Sequence, residues 1–114
     1  MSISEYLREP ADQALAAYCR LRCPANAPFQ VRLIHRWLGA TVTLTEQRPM
    51  LRDSKRWTKN PIAQFRYNEL RDEWTLFWLD QHERWNPVDD LGGCHFLTSL
   101  LVFVDRDPTG IFWS

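Results

Sequence analysis

Glycine is scarce in this chain, with four glycines among 114 residues. Loops that bind phosphate groups need several glycines close together, and the sequence contains neither Gly-x-Gly-x-x-Gly nor Gly-x-x-x-x-Gly-Lys. It also lacks the Gly-x-Ser-x-Gly turn of hydrolases and the His-Glu-x-x-His helix of metalloproteases. The common nucleotide-binding and hydrolase motifs are therefore excluded.

Cysteine is also rare, and its number is odd: Cys19, Cys23 and Cys94. An odd count does not suit a disulfide framework and is typical of a reducing compartment. Cys19 and Cys23 lie one helical turn apart and could join Cys94 and His95 in a zinc site. However, adjacent residues such as Cys94 and His95 seldom reach the same ion, and a Cys-x-x-Cys pair is missing. We predict unbridged cysteines, no bound metal and no cofactor.

The chain has neither a long apolar run nor a net charge. A membrane-spanning helix needs ~18 consecutive apolar residues, which are found nowhere in the sequence. The N-terminus lacks the basic start and apolar run of a signal peptide. Fourteen basic and fourteen acidic residues cancel, which disfavours a polybasic nucleic-acid binder. We expect a cytoplasmic protein that has no membrane partner.

Apolar residues recur at helical spacing over residues 2–23. Pro10 falls inside this stripe, and proline suits the first turn of a helix better than its interior. The main helix is therefore predicted to begin near Pro10, with residues 2–8 as a separate turn. Pro24 and Pro28 are expected to end the helix and begin a linker.

From Val31 the apolar period changes to two, which is typical of strands. The predicted strands are 31–38, 41–46, 62–67, 73–80 and a short 84–86. Because hairpin-length gaps separate them, an antiparallel sheet is indicated. Trp74, Leu76 and Trp78 are predicted to face the helices. The fourth strand is apolar on both sides, so it is predicted to be central in the sheet or covered on both faces.

A last helix is predicted from about Cys94 to Asp105. The following Asp-Pro-Thr-Gly is a turn sequence, and the apolar tail 111–113 is expected to pack back on the domain. Residues 1–114 thus predict a single α+β domain. It has an N-terminal helix, an antiparallel sheet of four to five strands, and a C-terminal helix packed on the sheet.

Three runs of sequence resemble a family of small bacterial proteins. They are Glu46-Gln47-Arg48-Pro49 with Trp57 and residues 60–67, then residues 74–78 with Trp85, then Asp105-Arg106-Asp107-Pro108-Thr109-Gly110-Ile111-Phe112-Trp113. The family is a domain of unknown function, number three thousand and twenty-four. The resemblance covers residues 13–113 and implies a bacterial, cytosolic protein, but no activity or catalytic residue. The chain departs from the family's pattern at Asn86, usually His, and at Ser114, usually Gly.

Charge is divided unevenly along the chain. Residues 31–66 carry eight basic and two acidic residues, whereas residues 67–114 carry three basic and nine acidic residues. Twelve of the fourteen basic residues are Arg, which favours bidentate contacts to carboxylate or phosphate. The densest basic segment is a predicted loop over residues 49–61. The candidate binding residues in and around it are Arg48, Arg52, Lys55, Arg56, Trp57, Lys59 and Arg66. Trp57 is either an exposed contact residue or a residue that pins the loop to its own domain, since tryptophan is usually largely buried.

Two enzyme hypotheses compete with this binding hypothesis. Glu46, Arg66 and His82 could serve a small ribonuclease as base, phosphate-binding cation and acid. Asp53 and Lys55, with Glu46, form a loose version of a metal-dependent nuclease set. Since no motif fixes the geometry of either set, we favour a protein without catalytic residues.

The sequence therefore favours a non-catalytic binding module that holds an acidic partner, most simply another protein, through the Arg- and Trp-containing loop. Single-stranded nucleic acid is an alternative ligand, because aromatic residues on a sheet can stack bases. The charge division also allows copies of the protein to associate with one another.

Overall fold

Two helices pack on one face of a five-stranded antiparallel sheet. The computed structural model describes residues 3–23, 31–53, 55–88 and 91–113. The expected linker at Pro24 and Pro28 lies outside these residues. The α+β prediction is confirmed. The elements are α1 (Glu5–Arg22), β1 (Arg32–Leu38), β2 (Thr41–Gln47), β3 (Asn60–Asn68), β4 (Glu73–Leu79), β5 (Trp85–Pro87) and α2 (Leu97–Arg106).

The strands lie in the sheet in the same order as in the chain, and every neighbouring pair is antiparallel. The β1–β2 turn contains Gly39 with a φ of +60°, a conformation that glycine adopts without a steric cost. In β3 the register shifts opposite Leu44 and Thr45, so that neighbouring Ile62 and Ala63 are both buried. As predicted, β4 lies inside the sheet, between β3 and β5.

One face of the sheet, the inner face, forms the core with the helices. Buried side chains on it include Val42, Leu44, Phe65, Trp74 and Leu76, while Trp78 on the same face is half-buried. The helices contribute Ala11, Leu15, Tyr18, Leu97, Leu100, Leu101 and Val104 to the core, and the C-terminal tail contributes Phe112. The prediction that alternate residues of β4 face the helices is confirmed. The opposite, open face carries mainly Thr, Gln and Arg side chains.

The prediction that the main helix begins near Pro10 is wrong, because α1 begins at Glu5 and continues through Pro10. Proline removes the hydrogen bond to the carbonyl four residues earlier, which belongs to Tyr6. Tyr6 is 88% exposed, so this loss occurs on a solvent-facing turn and costs less than it would in the core. The buried residues Ala11, Leu15 and Tyr18 follow Pro10 and hold the helix on the sheet.

The second helix begins at Leu97 rather than at Cys94. The apolar spacing of residues 94–97 suits a helix, but the backbone of Cys94 pairs with Trp74 of β4. The Trp74 amide donates to the Cys94 carbonyl at 2.6 Å, and the Cys94 amide donates to the Trp74 carbonyl at 2.9 Å. These long-range bonds hold Cys94 in extended geometry, so the helix can begin only after it. No helix in the described ranges is long and apolar enough to cross a membrane.

Carboxylates hold α1 in place at both halves of the helix. Asp12 Oδ1 accepts hydrogen bonds from His35 Nε2 at 2.7 Å and from Trp37 Nε1 at 2.9 Å, which joins α1 to β1. Near the other end, Asp105 of α2 accepts from the Tyr18 hydroxyl and from Arg22, both at 3.1 Å. The helix is therefore fixed both to the sheet edge and to its neighbouring helix.

The C-terminal tail packs back on the domain, as predicted. Asp107 ends α2 with a φ of +44°, and its carboxylate accepts hydrogen bonds from the amides of Phe112 at 3.1 Å and Trp113 at 2.9 Å. The Trp113 indole donates to the Val104 carbonyl at the end of α2, and the Arg22 guanidinium lies 4.1 Å from the Trp113 ring centre. The turn sequence thus places two aromatic residues against both helices.

We expect Asp107→Ala to lower the free energy of unfolding by about 2–3 kcal/mol, because two hydrogen bonds are lost and alanine tolerates a positive φ poorly. Asp107→Asn should cost less, since asparagine adopts this backbone geometry and retains one acceptor oxygen. Urea denaturation of both variants measures the difference. Equal stability of the alanine variant and the wild type would show that the tail is not held by this carboxylate.

We expect the Asp12 contact to make stability depend on acid pH. The hydrogen bond from Trp37, followed by that from His35, lowers the pKa of Asp12 below its usual 3.8. The stabilisation is therefore complete above the ordinary carboxyl pKa and is lost as the pH falls through the lowered value. Asp12→Asn should reduce the melting temperature at neutral pH. It should also flatten the fall in melting temperature between pH 5 and 2, roughly the range over which paired carboxylates titrate.

Candidate functional site

Residues 48–53 and 55–59 form a paired arm, the basic arm, that extends β2 and β3 beyond the sheet. The Thr58 amide donates to the Arg48 carbonyl at 2.7 Å, and the Met50 amide donates to the Arg56 carbonyl at 2.8 Å. Pro49 and Trp57 form a β-bridge between these two hydrogen bonds. The prediction of an unpaired loop over residues 49–61 is therefore wrong. The arm has paired backbone, and Asn60 and Pro61 already belong to β3.

Trp57 fixes the base of the basic arm to the sheet. The Arg32 guanidinium lies 3.6 Å from the centre of the Trp57 ring, and the tryptophan is half-buried. Such a stack contributes about 0.5–1 kcal/mol at an exposed site. Arg32 projects from the open face of β1, so the stack holds the arm toward that face. Trp57 therefore supports the arm and has one ring face already occupied.

The cations of the basic arm differ in how far they are neutralised. Arg48 pairs with Glu46 at 3.0 Å, and Arg56 lies 3.6 Å from Asp53. Within the described ranges, no carboxylate forms an ion pair with Arg52, Lys55 or Lys59. Lys59 shares a polar hollow at the base of the arm with the acidic residues Asp80 and Glu83. Arg52 and Lys55 near the tip of the arm are thus the cations most available to a partner.

The tip of the basic arm also carries two exposed apolar side chains that the charge pattern did not reveal. Leu51 is fully exposed, and Met50 is 42% exposed. The signal in the sequence is an apolar pair enclosed by Pro49 and Arg52 in an otherwise polar segment. Because these residues have no core to enter, apolar and cationic groups are presented together at one tip.

Arg66 is not part of this cluster. It lies six residues along β3 from Asn60, where the arm rejoins the sheet, and at the usual rise this separates it by about 20 Å. Its side chain lies on the open face, where Nε donates to Gln64 Oε1 at 2.7 Å. Its guanidinium lies 3.8 Å from the Phe77 ring centre. The structure therefore brings together Arg48, Arg52, Lys55, Arg56, Trp57 and Lys59 but places Arg66 apart from them.

The remaining tryptophans do not form an open stacking platform. Trp37 and Trp74 meet edge to face on the inner face, with ring centres 6.1 Å apart. Phe77 on the open face is covered by the Arg66 guanidinium, as Trp57 is by Arg32. Trp57 and Phe77 are thus each covered on one side by a guanidinium, and Trp37 and Trp74 lie on the inner face.

The residues of the ribonuclease hypothesis do not come together. Glu46 lies on the inner face, opposite Leu33, and pairs with Arg48, whereas Arg66 lies on the open face. His82 lies in the exposed β4–β5 turn, where Asp80 accepts its backbone amide at 2.8 Å. A charge count along the chain cannot show that Glu46 and Arg66 project from opposite faces of one sheet.

Asn86 also serves the β4–β5 turn, since its side-chain amide donates to Asp80 Oδ2 at 2.8 Å. Together with the backbone amide of Arg84, the larger influence, this bond lowers the pKa of Asp80. The side chain at this position therefore has a local structural partner.

The thiols are poorly suited to metal binding. Burial raises the pKa of Cys19 to about 11 and also raises the pKa of Cys23, so both are protonated near neutral pH. In the part of the chain that the structure describes, no three His, Cys, Asp or Glu side chains are grouped as metal ligands. The four residues considered for zinc are all in that part. Asp53 instead accepts the Lys55 amide at 3.1 Å and pairs with Arg56.

The family model for a domain of unknown function, DUF3024, matches residues 3–114. The chain belongs to the DUF3024 family. The resemblance inferred from the sequence motifs is thus confirmed as to family. Comparisons with curated proteins and with solved structures give no match. The function of this DUF3024 protein is therefore inferred from its own residues.

We expect Trp57→Ala to loosen the basic arm without unfolding the domain, because the residue contacts Arg32 at the edge and is not part of the buried core. Hydrogen–deuterium exchange should be faster at the amides of Met50 and Thr58, while amides of β3 and β4 stay protected. Trp57→Phe retains an aromatic face for Arg32 and serves as the matched control. Global unfolding of the alanine variant would contradict this local role.

Proposed function

We propose that this DUF3024 protein is a non-catalytic binding module of the bacterial cytoplasm that holds an acidic partner protein through its basic arm. The observation that carries the proposal is the tip of the arm, where exposed Met50 and Leu51 lie beside Arg52 and Lys55. The resemblance to small bacterial proteins and the three unbridged thiols support the cellular setting.

The combination of apolar and cationic groups favours a partner protein over a ligand that offers negative charge alone. An exposed ion pair contributes only ~0–1 kcal/mol, so cations alone give little specificity. An apolar side chain that enters a pocket on the partner adds ~25 cal/mol for each Å² removed from water. Arg is also enriched among the residues that dominate binding energy at interfaces. Leu51 and Arg52 together supply both contributions.

The paired backbone of the arm supports the same proposal. A hairpin held by the Arg32–Trp57 stack and two cross-strand hydrogen bonds is ordered before it meets a partner. Ordering a flexible loop on binding would cost free energy, and a preformed arm avoids part of that cost. The base of the arm therefore aids binding without itself touching the partner.

Single-stranded nucleic acid is a second candidate, favoured by the exposed arginines Arg32 and Arg36 on the open face, of which Arg32 lies at the base of the arm. Planar guanidinium groups suit bidentate contact with phosphate. Against this candidate, the guanidinium groups of Arg32 and Arg66 already cover Trp57 and Phe77, so one face of each of these two rings is not available to a base.

We expect Leu51→Asp with Arg52→Glu to weaken capture of native partners at least ~30-fold, which corresponds to the ~2 kcal/mol of an interface hot spot. Leu70→Asp with Arg71→Glu is the matched control, because Leu70 and Arg71 form an equally exposed Leu-Arg pair in the β3–β4 turn. Both variants should melt within about 2 °C of the wild type, since exposed substitutions change stability little.

The measurement is a quantitative pull-down from host extract with both tagged variants and the wild type, followed by mass spectrometry and sequencing of retained nucleic acid. Undiminished capture of every partner by the arm variant would sink the proposal. Titration of a labelled single-stranded oligonucleotide at increasing salt tests the second candidate. Affinity that falls steeply with salt, by the slope expected for several neutralised phosphates, favours nucleic acid instead.

A further inference from the structure

The two edges of the sheet differ in how they are protected. Strand β5, at one edge, is three residues long and ends at Pro87. Strand β1, at the other edge, is seven residues long, contains neither proline nor lysine, and pairs with β2 in one unbroken register. Short length, proline, lysine and bulges are common devices that stop an edge strand from pairing with a further strand. Since β1 has none of these, it is the edge at which a further strand can pair.

The hydrogen bonds of β2 determine which main-chain groups of β1 point outward. The Tyr67 amide donates to the Ala40 carbonyl at 3.0 Å, so the even-numbered residues of β2 bond to β3. The odd-numbered residues of β2 therefore bond to β1, where their partners are even-numbered. The odd-numbered residues of β1, Leu33, His35 and Trp37, thus direct their amide and carbonyl groups away from the sheet. Within the described ranges, no other element forms a hydrogen bond with these groups.

The β1 edge is cationic on the side of the open face. Arg32 and Arg36 lie there four residues apart, which at the usual rise is about 13 Å. Both side chains are exposed, and in the part of the chain that the structure describes neither forms an ion pair with a carboxylate. A strand added beside β1 places alternate side chains next to these guanidinium groups, where acidic residues are favoured.

The side of the β1 edge that faces α1 is acidic. Asp12 of α1 contacts β1 through the hydrogen bonds described above, and the Arg8 guanidinium lies 5.1 Å from the Trp37 ring centre. Glu5 and Glu9 line the same polar hollow as these two α1 residues. The three carboxylates and one guanidinium give this side a net charge of −2. Acidic residues of an added strand are therefore disfavoured on the α1 side, so the added strand must alternate in charge.

The β1 edge begins where the basic arm leaves the sheet. Arg32 pairs with Gln47, the last residue of β2, and its guanidinium stacks on Trp57 of the arm. A partner chain that the arm holds can therefore continue along β1. A second copy of β1 is a poorer occupant, because it brings Arg32 and Arg36 of two chains together on one face, and like charges on neighbouring strands are destabilising.

We propose that β1 receives an extended segment of the acidic partner as a sixth strand of the sheet. The segment has acidic residues at alternate positions, next to Arg32 and Arg36, and basic or uncharged residues between them. Main-chain hydrogen bonds to Leu33, His35 and Trp37 supply affinity, and the charges on the two sides of the edge select the sequence, as is general for strand addition. The inference rests on the proposed function, because the segment belongs to the partner that the arm holds.

The probe is the peptide Val-Glu-Lys-Glu-Lys-Glu-Val, acetylated and amidated, in which acidic and basic residues alternate. Amide hydrogen exchange of the protein is measured by NMR with and without the peptide. The amides of Leu33, His35 and Trp37 should exchange about tenfold more slowly once about 90% of the protein is bound, because each gains a hydrogen bond. The amides of Ile34 and Arg36 should change little, since they already bond to β2. Contact through side chains alone would not produce this alternation.

Two control peptides and two variants separate the contributions. Val-Glu-Glu-Lys-Lys-Glu-Val has the same composition but acidic residues on both sides of the strand, and the original peptide methylated at every backbone nitrogen keeps its charges but cannot donate; neither should protect β1. Arg36→Glu should weaken binding of the alternating peptide about fivefold, the upper end for one exposed ion pair. Arg71→Glu alters an exposed arginine in the β3–β4 turn and should have no effect. Circular dichroism verifies that both variants are folded.

Unchanged exchange of the three outward amides at peptide concentrations up to ~5 mM would overturn the inference, as would equal protection by either control peptide. Protection that appears without peptide and rises with the concentration of the protein would assign the edge to a second copy and also overturn it. The proposed function fails separately. If the peptide protects β1 but Leu51→Asp with Arg52→Glu still captures every native partner, the arm proposal is wrong. If capture is lost in that variant but the peptide never protects β1, only the strand addition is wrong.

Discussion

The constraint on which this structure depends is that both helices pack on the same face of one sheet. Burial of apolar area on that inner face drives folding, because it is the main favourable contribution available to a domain of this size. Neither α1 nor α2 lies over the other face, so its side chains must be compatible with water. Thr43, Gln64 and Arg66 form a hydrogen-bonded row across β2 and β3, and Arg66 then covers Phe77 of β4.

Much of the fold follows from local sequence patterns. Alternation along β1, β2 and β4 predicts which residues are inside, because successive side chains in a strand point to opposite faces. The errors occur where long-range contacts outweigh local preference. The pairing of Cys94 with Trp74 delays the start of α2, and the buried residues after Pro10 keep α1 continuous through it. Neither contact can be deduced from residues close in sequence.

Only the residue composition of the candidate site could be predicted from the sequence, not its contacts. The basic character of residues 48–59 is visible in the sequence. The stack of Arg32 on Trp57 joins residues 25 positions apart, so the sequence could not decide between Trp57 as a contact residue and Trp57 as a support, and the structure shows the support. Arg66 was grouped with the arm because charge was counted along the chain. In the fold, β3 carries it toward the opposite end of the sheet. Leu51 was missed because an isolated apolar pair carries no periodicity.

The sheet order has a consequence for how the domain folds. Since strands that are neighbours in the chain are also neighbours in the sheet, each hairpin closes a short loop, at little entropic cost. The contacts that close the domain are of another kind, because Tyr18 and Asp105 are 87 positions apart. Contacts of such large sequence separation slow folding. The meander can therefore assemble first, and the docking of the two terminal helices on each other completes the native state.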